Sequence, residues 1–337
     1  MTDGVLPAIY TGVAGEVIGG LIESAYDLGP IASCHLIRRG MNDVYAVRSH
    51  SGRRYVARLS HVRARGPSNL AYEAAFLAHL TALGAPVAAV VADSQGGLWR
   101  NLPSAEGPRA FAVFEHAAGR PPESDSEDVF LLGSSLAAIH MGGDSFTGPE
   151  SLRTLDGDYL LARPLAGLLA APTIDQPLGQ AYAALAAELA SRLEAAWPAL
   201  SQGICHGDCH VNAHVRTDER GRRVIAYFDF DDLGPGPLAY DLGTYLFHLG
   251  RRAEPGVYPA AALQAWARYI EGYRGGRTLS QPDFEAAALF AVVRWFIWFG
   301  ENADRIPQWG MESLSRPWLR MQVKVVRRWL ATPTPCV

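Results

Sequence analysis

Lysine is nearly absent from this chain: of its 30 Lys and Arg residues, only Lys324 is lysine. A Walker phosphate loop needs Gly-Lys-Ser/Thr, and Lys324 sits in Met-Gln-Val-Lys-Val-Val near the C-terminus, so P-loop chemistry is excluded. A Schiff-base enzyme would depend on the same lysine, which falls in an Arg-rich pattern (Arg320, Lys324, Arg327, Arg328) of the kind a solvated helix face carries. Neither G-x-G-x-x-G nor G-x-S-x-G occurs, which removes dinucleotide and nucleophile-elbow readings. Cysteine is scarce too. Four residues (Cys34, Cys205, Cys209, Cys336) in 337 make no disulfide framework, and at the N-terminus Asp3 and Glu16 interrupt any signal-like run, so a cytoplasmic location is expected. The longest apolar run, residues 289–300, is too short to span a bilayer and contains Arg294, so no membrane association is expected. A basic excess is lacking as well: a net charge of −4 leaves no footprint for nucleic acid, and none is expected as a partner.

What is present describes a globular enzyme. Apolar residues make up 49% and charged residues 19%, which supports a packed core, and the length suggests two cores or one large one. Residues 34–38, 43–48 and 54–59 read as strands of a small antiparallel sheet with a turn at His50-Ser51-Gly52. Ser68 is the expected cap of a helix over 69–83, which carries Glu73 within reach of that sheet. Strands at 87–91 and 111–115 lead to a hinge at 117–122, placing a boundary near residue 116, between lobes 1–116 and 117–337. Beyond it the pattern is helical at 129–139, 180–195 and 260–273, and again from Ser280, an expected cap, with Pro282 in the first turn. One loop and an apparent hairpin, residues 203–232, interrupt the helices.

The densest reactive cluster is His206-Gly207-Asp208-Cys209-His210-Val211-Asn212-Ala213-His214, followed by Tyr227-Phe228-Asp229-Phe230-Asp231-Asp232. Three readings compete. Cys205, Cys209, His210 and His214 could be drawn as a zinc site, but the separated Cys and His pairs of such sites are absent. His206 and His210 could simply hydrogen-bond a loop. The third reading is phosphoryl transfer. If Thr217 and Arg223 flank a tight turn around Arg220-Gly221, the two strands pair and Asn212 faces Asp229, a hard-oxygen pair suited to Mg²⁺; a slip by one residue is the alternative register. Asp208, four residues before Asn212, would stand beside that metal as a base for a hydroxyl.

The combination His206-Gly207-Asp208-x-His210, Phe228-Asp229-Phe230-Asp231-Asp232, Gly234 and Tyr240-Asp241-Leu242 resembles the aminoglycoside phosphotransferase and choline kinase family. The resemblance extends over about residues 30 to 250. It implies an α+β, protein-kinase-like fold with a small antiparallel-sheet lobe bearing one helix and a larger, mainly helical lobe. It also implies ATP and Mg²⁺ as cofactors and a small-molecule acceptor. By the same resemblance Asp208 is the catalytic base, Asn212 and Asp229 hold the metal, and Asp241 braces the catalytic loop. Arg58, in Tyr55-Val-Ala-Arg58-Leu, is the phosphate-binding base paired with Glu73, and Phe114-Glu115-His116 is the hinge for adenine. Two departures stand out. The family places its metal-binding Asn five residues after the base, where this chain has Ala213, and a Lys where it has Arg58; Arg keeps the charge and the reach.

For the acceptor, Asp231, Asp232, Glu301 and Asp304 are candidates for an acidic cleft that takes an amine, with solvated helix ends the competing reading. Trp295, Trp298 and Phe299 form a stripe expected in the core. The function expected is transfer of the ATP γ-phosphate to a hydroxyl of an amino alcohol, a homoserine-like amino acid or an amino sugar. A Ser/Thr protein kinase of the bacterial stress response type and a nucleotide-binding pseudokinase are the alternatives.

Overall fold

Six strands near the N-terminus form one antiparallel sheet: β1 (Ile31–Arg39), β2 (Asn42–Ser49), β3 (Arg54–Ser60), β4 (Val90–Val91), β5 (Arg100–Leu102) and β6 (Arg109–Glu115). Their spatial order is β1-β2-β3-β6-β4, with β5 also on β6. The computed structural model describes residues 8–61, 68–124, 126–251 and 258–337; Asp3 lies outside them. Alternation along β2 and β3 turns Tyr45, Val47, Tyr55, Ala57 and Leu59 into one core with Phe111 and Val113 of β6. That core is closed by α1 (Gly15–Ala25), whose Ile18, Ile22 and Ala25 face it. The sequence pattern did not reveal α1. Three glycines weaken its helical signal, and Gly15 is there for contact, since a Cβ would lie 2.1 Å from the Cys34 carbonyl oxygen.

Two local expectations give way. The helix after the sheet, α2 (Leu70–Ala82), begins without a side-chain cap. Ser68 lies 3.5 Å from Ser60 Oγ, and the Asn69 side chain donates instead to Ser151 Oγ and the Leu233 carbonyl. The run 87–91 is a strand only at its end. Its first half leaves the sheet, with Ala88 N–H donating to the Tyr227 carbonyl and Tyr227 N–H to that of Pro86. This crossing ties the sheet to the segment that follows the hairpin loop.

The rest is mainly helical: α3 (Ser126–Gly143), α4 (Arg163–Ala170), α5 (Gln176–Ala196), α6 (Ala239–Gly250), α7 (Ala260–Gly276), α8 (Gln281–Asp304), α9 (Ile306–Trp309) and α10 (Arg316–Leu330). The Ser280 hydroxyl caps α8 by accepting from Asp283 N–H, with Pro282 in the first turn, as the sequence predicted. Apolar faces of α3 and α5 to α8 make a second, larger core. Four short strands interrupt these helices: β7 (Gln202–Cys205) pairs with β10 (Gly234–Pro237), and β8 (Ala213–Thr217) with β9 (Arg223–Tyr227). This is a sheet lobe followed by a helical lobe in the protein-kinase-like manner.

In the β8–β9 hairpin Thr217 and Arg223 do flank the turn, but their pairing sets Ala213 opposite Tyr227, so the slipped register is the one found. The loop is longer than a two-residue turn. Asp218 closes it by accepting from Arg220 and Arg222 N–H, with Gly221 at φ 75°. Asn212 therefore pairs with Phe228, whose N–H it accepts at 2.9 Å, and Asp229 falls one residue beyond.

Candidate active site

The loop between β7 and β8 presents Asp208, and Asp241 at the start of α6 holds that loop in shape. Its carboxylate accepts from His206 N–H at 2.6 Å, Gly207 N–H at 3.0 Å and the His140 ring at 3.0 Å. Burial alone would raise Asp241, but His140 and these N–H groups outweigh it and bring the carboxyl below its usual range. Gly207 is required where it stands. Its φ is 91°, and a Cβ would come within 2.2 Å of the Asp232 carbonyl oxygen. The bland expectation for His206 matches its placement, since it is buried on Phe230 with Nε2 3.1 Å from the Phe228 carbonyl.

Asp208 meets three groups. Arg294, from the middle of α8, pairs with Oδ1 and also donates to Tyr240 Oη and the Gly207 carbonyl. His210 Nε2 lies 3.4 Å from Oδ2; its Nδ1 accepts from Val211 N–H, so the proton belongs on Nε2, toward the carboxylate. Asn212 Nδ2 donates to the Asp208 carbonyl at 3.0 Å, which leaves its amide oxygen for another partner. Burial would raise Asp208, yet Arg294 and then His210 hold it well below the usual carboxylate range.

On the sheet side, Arg58 of β3 is buried, pairs with Glu73 of α2, and reaches Asp229 at 3.9 Å. Arg58 Nε and Glu73 Oε1 are buried without a hydrogen-bond partner among the described residues. Asp229 is the one non-glycine described residue with positive φ, 67°, where the chain turns out of the hairpin. Burial first, then Asp231, raise it to about 7, with Arg58 opposing.

Two cavities meet at Asp229. One, of about 300 Å³, is walled by Ile37, Val44, Val56, Leu77, Ala88 and Phe114, with Arg58 and Glu73 at one end and Glu115 and His116 at the other. Arg53 pairs with Glu115 and Arg54 with His116, so both side chains are engaged by the start of β3. The other, of about 220 Å³, contains Asp208, His210, Asp231, Asp232, Glu301, Arg294 and Arg251. Arg38 and Val44 line both.

The sequence-predicted residues are distributed unequally over these spaces. Asp231 accepts from Asn42 at 2.6 Å, and Asp232 lies 3.5 Å from Arg153. Asp304 is placed outside the charged cavity, packed toward Gly167 of α4 and lining a small recess with Glu301. The zinc reading fails on placement: Cys205 and Cys209 are buried thiols donating to the Pro237 and Asp241 carbonyls, and no His, Cys, Asp and Glu cluster fit for a metal occurs among the described residues. His214 is engaged at the hinge, Nδ1 2.6 Å from the Ala117 carbonyl. Sequence reasoning missed Arg294 and Arg38. The signal for Arg294 was its lone charge inside the apolar run 289–300.

A sheet lobe and a helical lobe enclosing a cleft with an acid-braced loop and a paired buried arginine define a kinase-type phosphotransferase. A model of the phosphotransferase enzyme family matches residues 35–279, and the chain belongs to that family. A protein of Deinococcus radiodurans is 34% identical over 323 residues, covering 96% of this chain and 92% of its own. Among solved structures, a microcompartment-associated aminopropanol kinase superposes with a TM-score of 0.71 at 21% identity, over 94% of this chain and 95% of that one. An amicoumacin kinase, solved in complex with AMP-PNP, Ca²⁺ and Ami, gives 0.73 at 18%, over 95% and 94%. No helix among the described residues is long and apolar enough to cross a membrane.

Proposed function

We propose that this phosphotransferase moves the γ-phosphate of ATP to a hydroxyl of a small amine-bearing molecule. The observation that carries this reading is the meeting of the two cavities at Asp229, with an apolar, hinge-bounded space ending in Arg58 on one side and a charged space containing Asp208 on the other. A flat base fits between Val56, Leu77 and Phe114, and Arg58 and Arg38 offer guanidinium groups to the phosphates. Asp229, raised by burial and by Asp231, gains from a nearby cation, and with the free amide oxygen of Asn212 it would hold Mg²⁺. Bound there, the metal would screen the phosphate charge.

Asp208 orients the attacking hydroxyl and takes its proton. Held low by Arg294, it is a weak base that stays ionised, which suits a reaction in which the proton leaves late and positioning supplies most of the rate. Asp232 and Glu301 give the acceptor's amine its counter-charge, and solved relatives in fold that phosphorylate aminopropanol and amicoumacin support an acceptor of this size. ATP consumption across amino alcohols, amino sugars and serine peptides tests the reading. Turnover with an amine-bearing small molecule, lowered roughly 10² to 10⁴-fold in Asp208→Asn with ATP affinity kept, is the expected result. Peptide phosphorylation alone, or nucleotide binding without turnover on any acceptor, would replace it.

A further inference from the structure

We infer that the acceptor site continues into an aromatic chamber, and that the acceptor carries a flat apolar ring as well as its amine and hydroxyl. The inference rests on the phosphotransferase reading above. A cavity of about 530 Å³ opens among α6, α8 and α10, walled by Trp295, Trp298, Trp318 and Trp329 with Met321 and Val325. The stripe expected in the core is thus divided: Phe299 is buried there, while Trp295 and Trp298 face space. Ring contacts hold the walls apart, Trp298 on Trp318 at 5.1 Å and Trp295 on Trp329 at 6.2 Å, so the chamber is built from braced side chains.

Continuity points to its occupant. Phe247, Arg251 and Trp298 line both this chamber and the cavity holding Asp208. A molecule with its hydroxyl at Asp208 would extend past these three side chains to the tryptophans, whose faces and edges favour a planar ring.

The test compares two probes with one head group, 1-amino-2-propanol and 1-amino-3-phenoxy-2-propanol, by calorimetry without nucleotide and by kcat/KM with ATP and Mg²⁺. The phenoxy compound should be favoured about tenfold or more in both measurements, as expected for a filled apolar subsite. Trp298→Ala should remove most of that preference. Met321→Trp, at a position 54% exposed and so tolerant of change, should narrow the chamber and bring the ratio toward one, with ATP affinity reporting that each variant is folded. Equal or absent binding of the phenoxy probe, or a preference that survives both substitutions, overturns the inference. A calorimetric preference without phosphoryl transfer to either probe would uphold the chamber and count against the kinase reading instead; transfer at equal efficiency would do the reverse.

Discussion

The cavity on the sheet side of Asp229 and the one on the helical side draw their charge from different distances along the chain. On the sheet side the buried pair is Arg58 with Glu73, fifteen residues apart, on a strand and the helix that follows it. Aliphatic and aromatic walls surround it. On the helical side Asp208 is held by Arg294, 86 residues later, and carboxylates and guanidiniums from several elements crowd one small space. The first arrangement suits a constant ligand, a planar base with a phosphate tail. The second suits an acceptor that differs between proteins, because one change on α8 alters its charge without disturbing the sheet.

If the sheet-side pair is as dry as it looks, breaking it should cost most. Arg58→Ala strands Glu73 in the core and should lower stability by about 3–5 kcal/mol, while Glu73→Gln, which keeps an acceptor for Arg58 and leaves Asp229 as its counter-charge, should cost less. Urea titration of both variants measures the difference, and equal small losses would mean the pair is solvated. On the helical side the decisive substitution is Arg294→Met. A charge-assisted hydrogen bond contributes ~1.5–3 kcal/mol, so kcat should fall roughly 10- to 100-fold. The pH profile supplies the sign. With Arg294 present Asp208 stays ionised well into acid, so it sets no limit near neutrality. Without Arg294, burial is opposed by His210 and His206 alone and the pKa rises, so the acid limb of kcat/KM should move to higher pH. An unmoved acid limb would show that Arg294 does not govern the base. The smallest effect separates two acidic residues of one helix. Glu301→Gln should raise the acceptor KM by about two- to fivefold, as for a partly exposed charge pair, and Asp304→Asn should leave it unchanged. Matched effects would place both carboxylates on the acceptor.

The same contrast explains what could be read in advance. Strands and helices whose apolar spacing is regular were legible to within a few residues, as was the capped start of α8. Helix α1 was not, because its glycines serve contact with β1 and weaken its pattern. The hairpin was legible but its register was not, because an Asp218 side chain, invisible to backbone turn rules for Arg-Gly, closes a longer loop.

By itself the sequence determined the family motifs, the regular strands and helices of each lobe and, through the family resemblance, the pairing of Arg58 with Glu73, since motifs and apolar period lie within one or two adjacent elements. Only the tertiary structure decided that Arg294 clamps Asp208, that Glu301 faces the cavity holding Asp208 while Asp304 faces α4, and that four tryptophans line one space. The physical reason is range. Hydrophobic period and capping act over a few residues, whereas the charge around a buried carboxylate is set by whichever distant helix the core packs beside it.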